Sequence, residues 1–183
     1  MDIWVRLANF AEIETERLLL KPLSIKDSQA FYDITQNPEN LPFIFPAQAS
    51  QKESDYLLVH YFLKEPLGKW GIFDKTSQEF LGVFNFEKLL AQKKSAEIGY
   101  FLKKSHWGRG LMTEVLKNLA FLSFQVLGLK TLIIITHKEN LASQAVAKKA
   151  GFRLVRQYKG SDRYTHKMRD YHQYELRRKD LNE

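Results

Sequence analysis

The sequence predicts a mixed α+β domain with a mostly antiparallel central sheet and helices on both of its faces. Two observations support this class. Three strand-like segments in the middle of the chain are separated only by short polar turns, which is typical of antiparallel strands. Further along, a strand, an amphipathic helix and a β-branched apolar strand follow one another. Such a strand–helix–strand unit joins two parallel strands.

The first part of the chain predicts one strand and two helices. The segment ERLLLKPL (16–23) predicts the strand, and Ser24 caps a helix that runs to about residue 36. The prolines of NPENLPFIFP (37–46) predict a loop. Ser50 and Glu53 have the spacing of a capping box, which predicts a second helix to about residue 64.

The middle of the chain predicts an antiparallel meander. Its three strand-like segments are KWGIFDK (69–75), EFLGVFNFEKL (79–89) and SAEIGYFLK (95–103). Each is rich in aromatic or β-branched residues and is bounded by polar turn residues.

The second half predicts two helices and three further strands. Apolar residues at helical spacing predict a long helix that ends at Gly128. These residues are Leu111, Val115, Leu119, Leu122 and Val126. The run TLIIIT (131–136) is typical of a strand buried on both faces. A short helix at about 140–150, closed by Gly151, precedes the final strands FRLVRQYKG and MRDYHQYELRR.

Composition excludes several classes of site and location. The chain has no cysteine, which excludes disulfides, thiolate zinc sites and cysteine nucleophiles. The five histidines show no metal-ligand spacing, so we expect no metal. No segment approaches the roughly 20 apolar residues of a membrane span, and the start lacks the pattern of a signal peptide. We therefore expect a cytoplasmic protein that does not bind membranes.

The charge of the chain favours anionic partners. Lysine and arginine number 28 against 21 acidic residues, which gives a formal net charge of +7. Such a balance favours nucleotides, phosphates or an anionic surface such as the ribosome. The basic residues are dispersed, however, and none forms the long run of a nucleic-acid-binding arm. We therefore expect no direct binding to nucleic acid.

The segment HWGRGLMTEVL places two glycines around an arginine directly before the long predicted helix. A helix N-terminus leaves backbone N–H groups without partners and attracts anions. The glycines would let a phosphate approach that backbone closely, and Arg109 would add charge. The turn lacks both the Gly-Lys-Ser/Thr of a Walker loop and the third glycine of G-x-G-x-x-G. The alternative is a tight strand-to-helix turn that binds nothing.

The longer segment SAEIGYFLKKSHWGRGLMTEVL resembles the core motif of the GNAT superfamily of N-acetyltransferases. That motif reads Gln/Arg-x-x-Gly-x-Gly/Ala at a strand–helix junction, where the pyrophosphate of acetyl-CoA binds. Gly108 and Gly110 match its glycines, whereas Ser105 replaces its first residue. Such a departure at the first position is common in the Rim-type branch of the family. The chain also resembles this branch in the segments AEIGY and WGRG and in Thr113-Glu114. The branch is named for acetylation of ribosomal-protein N-termini.

Two further segments carry the same resemblance. TERLLLKPL near the start resembles the Thr-Glu-Arg-Leu-x-Leu-Arg opening of the branch, with Lys21 in place of the last arginine. NLASQAVAKKAGF (140–152) resembles its Asn-x-x-Ser…Lys-x-Gly-Phe motif. The three motifs occur in the family's order, so we expect residues 1–183 to form a single N-acetyltransferase domain with a core at about 15–176.

The resemblance implies an acetyl-CoA-dependent enzyme without a metal. It would move an acetyl group directly to a primary amine in a ternary complex, the amine being a protein N-terminus, possibly ribosomal, or a small molecule. The resemblance is compatible with a monomer or a homodimer. Two alternatives stay open: a non-catalytic sensor that holds CoA or a nucleotide, and a ribosome-associated structural protein.

The resemblance also implies where CoA would bind. The fourth and fifth predicted strands, 95–103 and 131–136, would splay apart and take the pantetheine arm as an added strand. Gly99 suits a bulge or a close approach there. The implied cofactor-binding residues are Phe101, Leu102, Gly108, Arg109, Gly110, Leu111, Met112, Thr113, Asn140, Ser143 and Lys148. Asn140 also suits the cap of the helix that follows it.

Three residues are candidates for the chemistry. The resemblance places Ser143 beside the CoA sulfur, where its hydroxyl would protonate the leaving thiolate. The alternative is that this hydroxyl only makes a hydrogen bond within the first turn of the helix. Glu97 is predicted to share a strand face with Gly99 and Phe101. The resemblance implies that it acts as a base through water, and the alternative is a structural carboxylate. The resemblance also implies a second candidate base, Asp162 after the sixth strand, which is otherwise a turn residue. An amine that arrives neutral would need no base, and His137 lies near the predicted cleft.

Overall fold

The computed structural model describes residues 2–182, which form an eight-stranded sheet with helices on both faces. The strands are β1 (Ile13–Glu14), β2 (Leu18–Lys21), β3 (Lys69–Asp74), β4 (Phe80–Leu90), β5 (Ser95–Leu102), β6 (Thr131–His137), β7 (Arg153–Ser161) and β8 (Met168–Arg177). Their order in the sheet is β1-β2-β3-β4-β5-β6-β8-β7. The sheet is mostly antiparallel with one parallel pair, β5 and β6. The predicted fold class is confirmed.

Five α-helices accompany the strands. They are α1 (Ile3–Ala8), α2 (Ser28–Thr35), α3 (Gln51–Leu57), α4 (Leu111–Gln125) and α5 (Leu141–Lys149). The chain forms two compact units: one runs up to Asn85 and adds Tyr100–Leu111, and the other combines Phe86–Gly99 with the chain after Leu111. Within the described residues no helix is long and apolar enough to cross a membrane.

The first unit has an aromatic-rich core. Its strand pairs β1–β2, β2–β3 and β3–β4 are antiparallel. Of these, β3–β4 belongs to the predicted meander and has the short connection that predicted it. The buried side chains that pack together are Leu23, Phe31, Ile34, Leu41, Leu58, Phe62, Phe73, Phe80, Val83 and Phe101. Most of them come from α2, the π-helix after α3 and the sheet, whereas Leu23 and Leu41 lie in connecting segments. The two helical segments and the strands therefore contribute their apolar faces to one cluster.

The helix caps of the first unit follow the predicted chemistry, with one difference. Ser24 makes a complete capping box with Asp27, at the start of a 3-10 turn that leads into α2. The hydroxyl of Ser50 accepts the N–H of Glu53, as predicted. The Glu53 carboxylate, however, accepts the N–H of Ala49 and not that of Ser50, so this box closes one residue earlier.

Two short elements and one change of helix type were not predicted from the sequence. Helix α1 has only six residues and β1 only two, too few for a periodic pattern to be visible. The predicted second helix does reach residue 63, but α3 ends at Leu57 and Leu58–Leu63 continue as a π-helix. A short 3-10 turn, Pro38–Asn40, interrupts the predicted loop.

The second unit is built around β6. Its parallel ladder with β5 has three pairs, from Ser95↔Thr131 to Glu97↔Ile133, although both strands continue further. On its other side β6 pairs antiparallel with β8 over its whole length, and β8 pairs with β7. The early end of the ladder agrees with the predicted splay of β5 and β6.

The prediction that β6 is buried on both faces is wrong. Leu132 and Ile134 are buried, whereas Ile133 and Ile135 on the opposite face are only half-buried. The reason lies on the neighbouring strand, where the hydroxyl of Tyr174 donates to Gln144 of α5. Helix α5 therefore lies over the Ile134 face and leaves the Ile133 face less covered.

The predicted alternation along β5 holds only in its first half. Ala96 and Ile98 are buried while Glu97 and Gly99 are partly exposed. Phe101 and Leu102 are then both buried, because Phe101 joins the core of the first unit and its ring meets Phe45 at 5.7 Å between centroids. Phe101 therefore differs in burial from Glu97 and Gly99, with which it was predicted to share a face.

Candidate active site

The glycine turn between β5 and α4 has the backbone that the two glycines predict. Gly108 and Gly110 have φ values of +76° and +73°, in the left-handed region that side chains disfavour. A Cβ placed on Gly108 would meet no atom within 4 Å, so the space beside it is open. The glycines are therefore required by backbone conformation, and the turn presents an open surface.

The N–H groups of this turn are available to a ligand. Within residues 2–182, those of Gly108, Arg109 and Gly110 donate no hydrogen bond to the protein. Helix α4 begins immediately afterwards and runs for 15 residues, so its N-terminal N–H groups and its dipole act at the same place. This combination fits the pyrophosphate of a CoA molecule. The guanidinium-bearing Arg109 is exposed beside it.

Arg17 contacts this turn from a distant part of the sequence, and no role was predicted for it. Its Nη1 donates to the carbonyl oxygen of Arg109 at 2.8 Å, across 92 residues of sequence. A Cβ on Gly110 would lie 3.7 Å from its Nη2. The guanidinium thus fixes the turn and adds positive charge to it. The signal was present, because Arg17 belongs to the TERL motif near the start of the chain.

Neighbouring side chains hold the segment that leads into the turn. The indole N–H of Trp107 donates to the carbonyl of Leu102 at 2.7 Å, and the N–H of Lys104 donates to the side chain of Asn40 at 2.8 Å. Ser105, where the GNAT motif has Gln or Arg, bonds its neighbour His106 at 2.9 Å. Its side chain is therefore engaged within the loop.

The end of β5 lies close to β4. Gly82 has no side chain at a point where a Cβ would overlap the carbonyl oxygen of Phe101. This contact directs the Phe101 carbonyl toward β4. Phe101 and Leu102, the predicted backbone partners of pantetheine, are both buried.

Two glutamates lie near Gly99: Glu87 on the neighbouring strand β4, and Glu97 on the same strand, β5. A Cβ on Gly99 would lie 2.5 Å from Oε1 of Glu87, so the close approach predicted at this glycine is present. The carboxylate of Glu97 lies 3.8 Å from Nζ of Lys88, and its side chain is 21% exposed. Glu97 is therefore partly solvated and paired with a surface lysine, which weakens the pair's contribution to stability.

The start of α5 brings two of the predicted residues together. The side-chain oxygen of Asn140 accepts the N–H of Ser143 at 3.1 Å, so Asn140 is the N-cap of α5 as predicted. Ser143 is half-buried in the first turn of this helix. Lys148 is exposed in the last turn.

A histidine–aspartate pair lies at the end of β6. Nε2 of His137 is 3.4 Å from Oδ2 of Asp162, and the two side chains are only 13% and 14% exposed. The other carboxylate oxygen of Asp162 accepts the N–H groups of Tyr164 and Thr165, at 2.9 and 2.8 Å. Asp162 is therefore a turn residue, as one alternative predicted, and at the same time it faces an imidazole.

The pKa values of this pair are shifted in the same direction for different reasons. Burial lowers the pKa of His137 from its ordinary value of 6.5, although Asp162 opposes the shift. The N–H groups of Thr165 and then Tyr164 lower the pKa of Asp162 below 3.8. At neutral pH the pair therefore consists of an ionised carboxylate and a neutral imidazole.

Each predicted catalytic residue has a local partner. Glu97 lies beside Lys88, and the N–H of Ser143 donates to Asn140. Asp162 faces His137. Among residues 2–182 no cluster of histidine and carboxylate side chains is arranged to hold a metal ion.

Comparison with protein families decides the assignment of this architecture. The acetyltransferase (GNAT) domain matches residues 17–153, which is more than half of the chain. The chain is a GNAT acetyltransferase. The predicted resemblance to this superfamily is thus confirmed, and the glycine turn, the short β5–β6 ladder and α5 all lie within the matched range.

Individual GNAT relatives agree with this assignment. The uncharacterised N-acetyltransferase YoaA of Bacillus subtilis is 28% identical over 81% of this chain and 88% of its own length. The ribosomal-protein-serine acetyltransferase of Escherichia coli is 36% identical over 40% of this chain and 41% of its own. A solved structure of RimL, a ribosomal L7/L12 alpha-N-protein acetyltransferase in complex with CoA, has the same fold. It superposes with a TM-score of 0.78, at 23% identity, over 91% of this chain and 97% of its own.

Proposed function

We propose that this GNAT protein is an acetyl-CoA-dependent N-acetyltransferase that moves an acetyl group directly to a primary amine in a ternary complex. The observation that carries the proposal is the glycine turn, whose unbonded N–H groups and left-handed glycines precede a long helix. A bound diphosphate would satisfy these donors. GNAT acetyltransferases use acetyl-CoA, whose thioester supplies the activated acetyl group.

We propose the following roles for the residues that hold CoA. The backbone from Gly108 to Thr113, which includes Leu111 and Met112, binds the pyrophosphate, and Arg109 and Arg17 add charge. Phe101 and Leu102 offer backbone groups to pantetheine, Asn140 and Ser143 lie beside the arm, and Lys148 reaches a phosphate. Ser143 also protonates the leaving thiolate. Glu97 and Asp162 stay the two carboxylates that the sequence predicts as candidate bases.

The acceptor is a primary amine, and two kinds are proposed. The E. coli relative whose name specifies ribosomal-protein serine supports a protein N-terminus. The Bacillus relative is named only as an N-acetyltransferase, which leaves room for a small-molecule amine. We further propose that residues 1–183 act as one domain, as a monomer or homodimer in the cytoplasm. The GNAT match supports one domain because it includes segments of both units.

The first test is thermal stability with and without acetyl-CoA and CoA. A ligand at 100 times its dissociation constant adds about 2.7 kcal/mol to the free energy of unfolding. We expect a clear rise in melting temperature that is lost in Gly110→Trp and retained in Gly151→Trp. Gly151 also has a positive φ, +93°, but lies outside the turn, so it controls for backbone strain.

Turnover is tested by thiol release from acetyl-CoA. The acceptors are a hexapeptide with a free N-terminal serine, the same peptide with a blocked N-terminus, and n-butylamine. Release with the free peptide alone assigns a protein N-terminus, and release with n-butylamine assigns a small amine. Binding of CoA without thiol release would support the sensor alternative. No thermal shift at millimolar ligand would mean that the glycines form only a turn, and the proposal would be wrong.

A further inference from the structure

We propose that His137 takes the proton from the acceptor amine and that Asp162 positions its imidazole. This inference rests on the proposed function, because it names the base of the same acetyl transfer. It differs from the carboxylate bases predicted from the sequence. Nε2 of His137 lies 3.4 Å from Oδ2 of Asp162, and both side chains are mostly buried.

The turn at Asp162 fixes the carboxylate before any substrate binds. Its Oδ1 accepts two backbone N–H groups, from Tyr164 and Thr165. The carbonyl oxygen of Asp162 also accepts the N–H of His166 at 2.8 Å, and its N–H donates to Lys167 at 2.9 Å. With Oδ1 engaged in the turn, Oδ2 is the oxygen that faces His137. A carboxylate that is held in this way orients an imidazole without itself taking the proton.

The backbone at His137 is fixed from the other side. The buried side chain of Gln144 donates to the carbonyl oxygens of Lys138 at 2.7 Å and His137 at 3.4 Å. Its own oxygen accepts the hydroxyl of Tyr174 at 3.1 Å. Because α5 and β8 both hold this strand end, the position of the imidazole follows from the fold and does not depend on a flexible loop.

The imidazole lies on the less covered face of the second unit. His137 pairs with Tyr171 on β8, and Tyr171 pairs with Tyr158 on β7, so the three rings share one face. The ring centroids of His137 and Tyr171 are 4.8 Å apart, and those of Tyr171 and Tyr158 are 5.6 Å apart. This is the face of Ile133 and Ile135, away from α5. A substrate amine that binds there meets the imidazole beside two aromatic rings.

The charges around His137 favour a neutral imidazole that can accept a proton. Burial lowers its pKa first, and Arg169 on β8 lowers it further. Asp162 and Glu139, from the two adjoining loops, raise it. Burial raises the pKa of Tyr171, so this ring stays uncharged near neutral pH. A base is most effective when its pKa lies near the working pH, and a histidine satisfies this condition better than Asp162, whose pKa is lowered by the backbone N–H groups of its turn.

The proposed reaction transfers one acetyl group and releases one proton. The acceptor arrives as an ammonium ion and gives one proton to Nδ1 of His137, while Nε2–H faces Asp162. The amine nitrogen forms a bond to the thioester carbonyl carbon, the carbon–sulfur bond breaks, and its electron pair leaves on sulfur. The Ser143 hydroxyl gives its proton to the thiolate and takes a second proton from the amine nitrogen in return. The products are the amide, CoA thiol and one proton, which His137 releases to water.

The test compares His137→Gln and Asp162→Asn with the wild-type enzyme, using acetyl-CoA and whichever of the hexapeptide or n-butylamine turns over. His137→Gln should lower kcat by about 10²- to 10⁴-fold. Its CoA-induced thermal shift should not change. The wild-type acid limb of kcat/KM should lie below pH 6.5, the ordinary value of histidine, and Asp162→Asn should move it to lower pH. His60→Gln is the control, because His60 is exposed and stacks on Tyr56, away from the His137–Asp162 pair in sequence and in its contacts.

A second measurement does not depend on activity or on folding of the glutamine variant. The histidine ring signals are followed by NMR as pH changes, in wild-type protein and in Asp162→Asn. One imidazole should titrate below 6.5 and shift further down in the variant, since the carboxylate that favours its charged form is gone. An unshifted set of five histidine curves would overturn the inference.

The outcomes separate this inference from the proposed function. An active wild-type enzyme with an equally active His137→Gln variant overturns the inference alone. Loss of the acid limb in Asp162→Asn, with the limb kept in His137→Gln, also overturns it and makes Asp162 the base. A wild-type protein that binds CoA but releases no thiol with any of the amines overturns both.

Discussion

The Arg17 side chain donates a hydrogen bond to the carbonyl oxygen of Arg109 in the glycine turn. A guanidinium offers several donors in a fixed plane, so it can hold a carbonyl and still face an anion. No other side chain in the described part of the chain donates to the backbone of Gly108, Arg109 or Gly110. The turn's shape therefore depends on a residue from the start of β2.

Replacing Arg17 should weaken CoA binding. Hydrogen bonds to charged groups contribute about 1.5–3 kcal/mol, so Arg17→Ala should raise the dissociation constant of CoA by about tenfold or more. Arg17→Lys keeps the charge without the fork and should recover only part of the affinity. Isothermal titration calorimetry measures the effect, with the exposed Arg178→Ala as control. Equal dissociation constants for Arg17→Ala and wild type would contradict this role.

His172 illustrates the opposite case, a polar side chain without partners. Both of its ring nitrogens are buried and make no hydrogen bond within the described residues. A buried polar group that is not bonded costs about 1–3 kcal/mol. His172→Leu, which is similar in size, should therefore raise the free energy of unfolding by about 1 kcal/mol. Urea denaturation measures it, and a clear loss of stability would show that the imidazole is satisfied.

The glycine turn is a feature of one element, the start of α4. A left-handed conformation costs about 1–2 kcal/mol for a residue with a side chain, wherever it occurs. Gly108→Ala and Gly151→Ala should therefore lower stability by similar amounts, because neither new methyl group meets a closer contact than 3.6 Å. Only Gly108→Ala should also weaken CoA binding, by about tenfold or more.

This comparison separates strain from ligand contact. Both variants are measured by denaturation without ligand and by calorimetry with CoA. Equal CoA affinity in the two variants would mean that the turn does not carry the diphosphate. Unequal loss of stability would show that one of the two glycines has a further structural role.

Helix α5 offers a second test at the scale of an element, because Asn140 has both a cap and a proposed ligand role. Loss of an N-cap costs about 1 kcal/mol, so Asn140→Ala should lower stability by that amount. Asn140→Ser keeps a capping oxygen and should restore stability. If Asn140 also contacts pantetheine, the serine variant should still bind CoA more weakly than wild type. Full recovery of both properties would leave Asn140 with the cap alone.

The pH dependence of stability is a property of the whole molecule, because ionisable groups from several parts of the chain contribute to it. Bonds from Ser28, Ser77 and Thr165 lower the pKa values of Asp55, Asp74 and Asp162. Their stabilising effect is present above the ordinary value of 3.8 and is lost as pH falls further. Burial of His137 lowers its pKa, so the unfolded chain binds that proton first and stability falls as pH drops through 6.5.

The alkaline side follows from the tyrosines. Burial raises the pKa values of Tyr158, Tyr164, Tyr171 and Tyr174, so the folded state keeps these protons longer and stability falls as pH rises above 10. We expect the melting temperature to be highest between pH 6.5 and 10. Circular dichroism measures it. His137→Gln should flatten the decline just below 6.5, and a rise in stability on acidification from neutral pH would contradict the assignment.

Most of the architecture followed from local patterns, and the failures have local causes. The meander, the long helix before Gly128 and the capped α5 were predicted because hydrophobic period and turn residues agree there. The less covered face of β6 was missed because the four residues between Thr131 and Thr136 are all apolar, so no alternation marks it. Helix α1 and strand β1 were missed because each is too short for a hydrophobic period to repeat clearly.

The amino-acid sequence by itself determined the elements, the left-handed glycine turn and membership of the GNAT family. These depend on residues that are close together along the chain, where spacing is informative. Only the tertiary structure decided which side chains meet across long separations. Arg17 reaches the turn through the pairing of strands in the first unit, and His137 reaches Asp162 because β8 and β7 bring that loop to the end of β6. Strand register fixes such contacts, and no spacing in the sequence encodes it directly.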